Sequence, residues 1–205
     1  MEKNIIEGYT TAALELIPRF EAVSPEILFA PIAHLFPSAP AQIADIGAGT
    51  GAAAAWFANH GQQVLAVEPV ADFRKAGRRL HKSKRIEWLD DALPDLPQTL
   101  ARSDTFDIVL LSAVWHHLDS RQRRAAMPKL QSLIAPKGLL VISLRNGPGS
   151  PSRPCYESHP EELVSLARAE NLKLTFKQEA ESVQKANRSA GVTWTWLAFS
   201  KEHNT

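Results

Sequence analysis

Four acids and a pair of histidines stand at or just past the ends of apolar runs. There a strand holds the backbone while the side chain reaches outward. Asp45 lies in Ile43-Ala44-Asp45-Ile46, Glu68 follows Val64-Leu65-Ala66-Val67, and Asp90-Asp91 follow Ile86-Glu87-Trp88-Leu89. His116-His117 come shortly after the apolar run that ends at Ser112. A carboxylate accepts at two oxygens, so it suits paired hydroxyl donors. A histidine that is neutral near pH 7 takes a proton from a nucleophile. After Asp45 comes Gly47-Ala48-Gly49-Thr50-Gly51, and then Ala52-Ala53-Ala54-Ala55-Trp56-Phe57, a strong helix former. Glycines at every second position permit positive φ and close approach of a ligand to the backbone. The first N–H groups of the helix point at whatever fills the turn. These types and spacings suit a nucleotide-like ligand cradled by a turn and fixed by acids, beside a candidate acid–base pair.

The elements that must position these groups follow from periodicity. From Gln42 onward strands alternate with helices: strands at 42–46, 64–67, 86–89, 107–112, 138–144, 172–177 and 192–199. Helices are expected at 51–60, closed by Gly61, at 70–81, at 119–134 with a kink or split at Pro128, and from the capping box Ser158-x-x-Glu161 to Glu170. This alternation predicts a parallel sheet with helices on both faces. The 179–191 connection carries no apolar helical stripe, so it reads as a loop and favours antiparallel pairing of the last strand. Ahead of the sheet, residues 4–17 carry an apolar helical stripe that Pro18 is expected to stop, and Ser24-Pro25 opens a second helix. Residues 1–40 read as a helical lid ending in the linker Pro37-Ser38-Ala39-Pro40, and 41–205 as one main domain. The segment 146–158 reads as a loop.

Bulk composition narrows the classes. The chain has 205 residues, 44% of them hydrophobic, enough for one α/β domain with a real core. A formal net charge of +1 gives no electrostatic case for a nucleic-acid or membrane partner. The clusters Lys82-Ser83-Lys84-Arg85 and Arg121-Gln122-Arg123-Arg124 read as solvated faces. One cysteine excludes an intrachain disulfide framework and a multi-cysteine metal site. There is no signal-peptide pattern and no apolar run near the ~20 residues of a membrane span, so a cytoplasmic location is expected.

Gly47-x-Gly49-x-Gly51 brings its third glycine one residue earlier than the dinucleotide fingerprint Gly-x-Gly-x-x-Gly. With Asp45 two residues ahead, it resembles the first motif of class I S-adenosylmethionine (SAM) methyltransferases. Four further stretches lie at matching strand ends: VLAVEP at 64–69, WLDDALPDLP at 88–97, FDIVLLSAVWHHL at 106–118 and LIAPKGLLVISL at 133–144. Over residues 42–199 the pattern is similar to the type 11 group of small-molecule methyltransferases. It departs at Lys137, where a glycine is commoner, and in showing no clear helix between strands three and four.

The resemblance implies a Rossmann-like α/β fold with a seven-stranded, mostly parallel sheet and an antiparallel last strand. It also implies SAM as methyl donor, S-adenosylhomocysteine (SAH) as product and a small-molecule acceptor. Asp45 would order the loop of Gly47, Ala48, Gly49 and Gly51 and reach toward the methionyl amine. Glu68, beside Pro69, would take the ribose hydroxyls. Asp91 or Asp90 would take the adenine amine, with the Ala92 N–H on the ring. Ser112 and Ala113 would lie under the sulfonium. Trp115 either walls the methyl-transfer channel or packs on the next helix. Arg19 either pairs with the SAM carboxylate or forms a surface ion pair with Glu15 or Glu21, and Tyr9 is a second lid candidate. His116 and His117 are the candidate general bases, although such histidines also occur there without that role. Arg145, Arg153 and Tyr156 lie where a loop can close over the acceptor.

Other readings stay open. A SAM-binding sensor or partner subunit without catalysis fits the same residues. An NAD-dependent oxidoreductase is opposed by the glycine spacing and the looped last strand. Pro154-Cys155 is similar to the nucleophile of cytosine-C5 methyltransferases, but no cysteine follows strand four. A nucleic-acid methyltransferase, of DNA or RNA, is therefore a minor reading.

Overall fold

The computed structural model describes residues 3–38, 40–149 and 153–201. Those parts of the expected lid, linker, acceptor loop and C-terminal tail that fall on 1–2, 39, 150–152 and 202–205 lie outside the described residues. Seven strands form one sheet: β1 (Gln42–Ile46), β2 (Gln63–Val67), β3 (Ile86–Leu89), β4 (Phe106–Leu111), β5 (Ile134–Asn146), β6 (Leu172–Glu181) and β7 (Thr193–Lys201). Their order is β3-β2-β1-β4-β5-β7-β6. The first five pair in parallel, and β7 runs antiparallel between β5 and β6. This is the Rossmann-like sheet expected from the sequence. The strand order reverses between β1 and β4, and in such sheets a ligand crevice opens outside the carboxyl ends of the strands that flank the reversal. The glycine loop leaves one of those ends and Ser112-Ala113 the other.

Nine helices accompany the sheet among the described residues: α1 (Lys3–Thr11), α2 (Ala13–Glu21), α3 (Pro25–Phe29), α4 (Ala52–Asn59), α5 (Ala71–Leu80), α6 (Pro97–Ala101), α7 (Ser120–Leu133), α8 (Pro160–Ala169) and α9 (Lys185–Ser189). Alternate strand residues feed two cores. Ala44, Ile46, Val109 and Leu111 face one side with Leu130 and Leu163. Ile43, Ile108, Leu110 and Val141 face the other with Phe29 and Phe57. Both faces are therefore covered, which is why the central strands read as continuous apolar runs. A third cluster joins Ala13 and Leu16 to Val70 and Phe73, seating α2 on α5.

Several element boundaries differ from the sequence reading. Pro18 lies inside α2, and the helical stretch breaks at Ala12 instead. The carbonyl that Pro18 leaves without a helical donor belongs to Leu14, which faces solvent at 91% exposure. Pro128 likewise sits within α7 on its exposed side. The Ser158 capping box does not form: α8 starts at Pro160 with His159 as an N-cap whose side chain makes no capping bond, and Glu161 pairs with Lys177. β5 begins at Ile134, its pairing with β4 irregular where Lys137 takes positive φ. The link between β6 and β7 contains the short α9, which buries no residue, so its missing apolar stripe is real.

Candidate functional site

The glycine loop is built by close approach. Gly47 has φ +78°, and a Cβ there would lie 2.4 Å from Val114 Cγ2. Only glycine lets the ends of β1 and β4 meet in this way. Gly51, at φ +83°, would drive a Cβ to 2.6 Å from the Trp88 ring, and it faces that packing rather than the pocket. Several loop amides are already committed. Gly47 and Ala48 donate to the Val67 carbonyl at 2.7 and 3.0 Å, and Gly51 donates to Ala48 at 2.9 Å. Gly49 donates to Glu68 Oε2 at 2.8 Å. The loop thus offers room and backbone surface more than free donors. A carboxylate occupies the middle amide, where an anionic pyrophosphate would be repelled.

Two acids face the pocket from the ends of β1 and β2. Glu68 Oε1 also accepts the Val70 N–H at 2.8 Å, so this side chain ties the loop to the start of α5. Asp45 is buried, and its Oδ2 has no hydrogen-bond partner. Burial, reinforced by the neighbouring Glu68 charge, pushes Asp45 up to about 7. Burial also pushes Glu68 up to about 7, against the opposing pull of its two backbone N–H bonds. Arg74 stands nearby but pairs with Asp90 and donates to the Glu68 carbonyl. The site therefore holds two buried carboxylates without a salt-bridge partner, Glu68 bonded to two backbone N–H groups and Asp45 with an oxygen that has no donor among the described residues.

The adjacent acids of β3 separate cleanly. Asp90 is exposed and paired with Arg74. Asp91 is buried and lines a small cleft with Ile46, Gly47, Pro69, Ala92 and Val114. Its Oδ2 accepts the Thr99 N–H at 2.7 Å and the Thr99 hydroxyl at 2.8 Å, and Oδ1 accepts the Ala92 N–H at 2.9 Å. Asp91 thus folds the turn into α6 as well as facing the cleft.

Across the crevice, Ser112, Ala113, His116 and His117 line the main pocket. Ala113 adopts φ +60° and donates to Ser143 Oγ at 2.8 Å. Trp115 is fully buried within the core, packed under β4 and β5 and away from the pocket wall. A short 3-10 turn over Trp115–His117 turns the tryptophan inward and leaves the two histidines at the wall. His117 Nδ1 lies 2.9 Å from the Pro154 carbonyl, and Nε2 lies 2.7 Å from the Tyr9 hydroxyl. Burial holds His117 down at about 4 and His116 well below the usual histidine range, with nearby positive charge adding to both effects. Each is neutral near pH 7. His116, His117 and Cys155 bring ligand-type atoms within 4.8 Å of one another. Both His117 nitrogens are engaged, however, and the charges of Arg145 and Arg153 oppose a cation there.

The helical N-terminal segment completes the wall with Tyr9, Leu16, Arg19 and Phe20. Arg19 lines the pocket while also pairing with Glu15 at 2.9 Å. Glu21 anchors α2 to the loop by accepting from Thr50 Oγ1 and lying 3.1 Å from His81 Nε2. Arg123, expected on a solvated face, is 1% exposed. It donates to the carbonyls of Tyr156 and Glu157 and pairs with Glu162, stapling the loop after β5 onto α7. Its signal in the sequence was lost among three neighbouring polar residues. The pocket encloses about 490 Å³, within the range of small-molecule and cofactor sites.

Residues 43–138 match a family model described as a methyltransferase domain. An uncharacterized methyltransferase of Alkaliphilus oremlandii is 29% identical over 99 residues, covering 48% of this chain and 43% of that protein. One of Mycobacterium tuberculosis is 29% identical over 118 residues, covering 53% and 41%. The chain thus spans less than half the length of these curated relatives. A solved 1,6-didemethyltoxoflavin-N1-methyltransferase of Burkholderia thailandensis, bound to 1,6-didemethyltoxoflavin and SAH, superposes with a TM-score of 0.74 at 21% identity over 98% of this chain and 88% of that one. The N-methyltransferase NodS of Bradyrhizobium japonicum, bound to SAH, gives 0.71 at 17% identity over 96% and 99%. The segment carrying the glycine loop and both acids thus matches a methyltransferase domain, and the chain shares its fold with solved methyltransferases that hold SAH.

Proposed function

We propose that the protein binds SAM and transfers its methyl group to a small-molecule acceptor. The observation that carries this reading is the buried Asp45, whose Oδ2 has no donor among the described residues, beside Glu68 at the mouth of a loop whose middle amide holds a carboxylate. SAM supplies what that site lacks: an ammonium group, paired ribose hydroxyls and a sulfonium bearing an electrophilic methyl. The residues fit it. Asp45 Oδ2 accepts from the ammonium, and Glu68 accepts the ribose hydroxyls on the lone pairs left by Gly49 and Val70. Asp91 and Ala92 flank the adenine in the cleft beside Pro69, while Asp90 serves the surface pair with Arg74. Ser112 and Ala113 form the floor, and Gly47 and Ala48 the side, of the methionyl and ribose channel. Arg19 reaches the SAM carboxylate, and α1–α3 act as a lid.

Orientation is the main task of the chain in an in-line displacement. The acceptor atom must line up behind the methyl, with water kept out. Tyr9, Phe20 and the loop stapled by Arg123 support that exclusion. Neutral, strongly depressed histidines are weak bases, which favours an acceptor that is already nucleophilic. The pocket volume of about 490 Å³ suits the cofactor and a small acceptor, in keeping with the small acceptor of the Burkholderia structure. A screen of small-molecule acceptors with methyl-labelled SAM tests the reading. Label should move to a small acceptor and not to RNA or protein.

A further inference from the structure

Away from Asp45 and Glu68, the pocket wall carries positive charge that no carboxylate among the described residues pairs with. Arg145, near the end of β5, and Arg153, in the loop behind it, both line the pocket and are half-buried. Arg145 lies over the Trp194 ring at 5.6 Å, and Arg153 over the Tyr9 ring at 5.2 Å. A guanidinium stacked by its face keeps its N–H edge free to donate in plane. Arg145 uses Nε and Nη2 on the Pro148 carbonyl, at 3.2 and 2.6 Å. The guanidinium of Arg153 makes no hydrogen bond to the described residues. Among those residues, every arginine–carboxylate pair uses another arginine: Arg19, Arg74, Arg102 or Arg123. The field of the two guanidiniums reaches the wall, where it helps to keep His117 neutral. Two aromatic faces thus position two cations, neither of them paired with a carboxylate of the described residues.

We infer that the methyl acceptor carries an anionic group, a carboxylate or a phosphate, and that Arg145 and Arg153 bind it. Paired guanidiniums match the oxygens of either group, and a cationic acceptor would be repelled by them and by the sulfonium. This inference rests on the proposed methyl transfer.

The test uses the full chain saturated with SAH, titrated at constant ionic strength with benzoate, phenyl phosphate and the neutral benzamide. Thermal unfolding is the readout. At least one anion should give a saturable rise in Tm, with affinity about tenfold or more above that of benzamide, as expected for hydrogen bonds to a charged group. The stronger of the two anions identifies the group as carboxylate or phosphate. In Arg145→Gln/Arg153→Gln the excess should vanish while SAH binding persists. Arg153→Gln alone should reduce it several-fold, and serves if the double variant is unstable. Anions no better than benzamide, or an excess kept in the variants, overturn the inference. Failure of SAH itself to bind would instead overturn the methyltransferase reading beneath it.

Discussion

The Tyr9 hydroxyl donates to His117 Nε2 across 2.7 Å, and His117 Nδ1 stands 2.9 Å from the Pro154 carbonyl oxygen. A carbonyl only accepts, so Nδ1 carries the proton and Nε2 offers the lone pair that Tyr9 fills. The rings also meet edge to face at 5.4 Å. One imidazole thereby joins α1, the segment after β4 and the loop after β5. These regions are brought together across 108 and 37 residues of sequence.

Removing the hydroxyl tests that junction. Tyr9→Phe keeps the ring but leaves a buried nitrogen without a donor. It should destabilise the apo protein by about 1–3 kcal/mol in urea unfolding. A change within about 0.5 kcal/mol, as at an ordinary surface site, would show that water replaces the hydroxyl.

The same imidazole sets a pH expectation. As an ordinary histidine, a base at this position would titrate near 6.5. Burial and the Arg153 charge hold His117 near 4 instead. With any accepted substrate, turnover should show no histidine inflection between about pH 5.5 and 8. A fall in rate near pH 6.5 that disappears in His117→Gln would make His117 the general base after all.

Glu68 holds the glycine loop and the start of α5, and is proposed to hold the ligand as well. Glu68→Ala should weaken SAM binding by roughly 1.5–3 kcal/mol, the range for hydrogen bonds to a charged group. It should also lower apo stability by about 1–3 kcal/mol, because the N–H groups of Gly49 and Val70 lose their acceptor. Calorimetry and urea unfolding read the two effects separately. From sequence position alone, this acid would be expected to matter only to the ligand. Unchanged SAM affinity would remove Glu68 from the site.

Asp45 makes apo stability depend on pH. Its folded value is near 7 and its unfolded value near 4, so the folded state keeps the proton over that interval. The contribution is full below about pH 4 and is lost as pH rises through 7. Asp45→Asn removes it, so the variant should gain on the wild type by about 2–4 kcal/mol between pH 5 and 8. Taking the difference between the two proteins cancels the opposite trend of the buried histidines. Parallel stability curves would mean that Asp45 is ionised and satisfied in the apo protein.

The mostly parallel sheet and its antiparallel last strand were legible because alternation marks strand ends directly, and Asp45, Glu68 and the glycine loop are strand-end features. Other features depend on partners remote in the chain. Trp115 sits in a 3-10 turn, where neither the helical nor the strand period says which way a side chain points, so the channel and core readings could not be separated. Asp90 and Asp91 differ by one residue, and only the capture of Asp91 by Thr99 tells them apart. Arg123 is buried because the loop after β5 folds over it, which its own neighbours do not encode. The interior prolines Pro18 and Pro128 break no helix because their unpaired carbonyls belong to solvent-facing turns.

Isothermal calorimetry of the purified chain with SAM, SAH and NAD tests most directly whether the pocket around Asp45 and Glu68 holds SAM. Saturable binding of SAM and SAH, absent for NAD and lost in an Asp45→Asn/Glu68→Ala variant that still unfolds cooperatively, is the predicted result. Tight NAD binding without SAM binding, or SAM binding untouched by the double substitution, would contradict it.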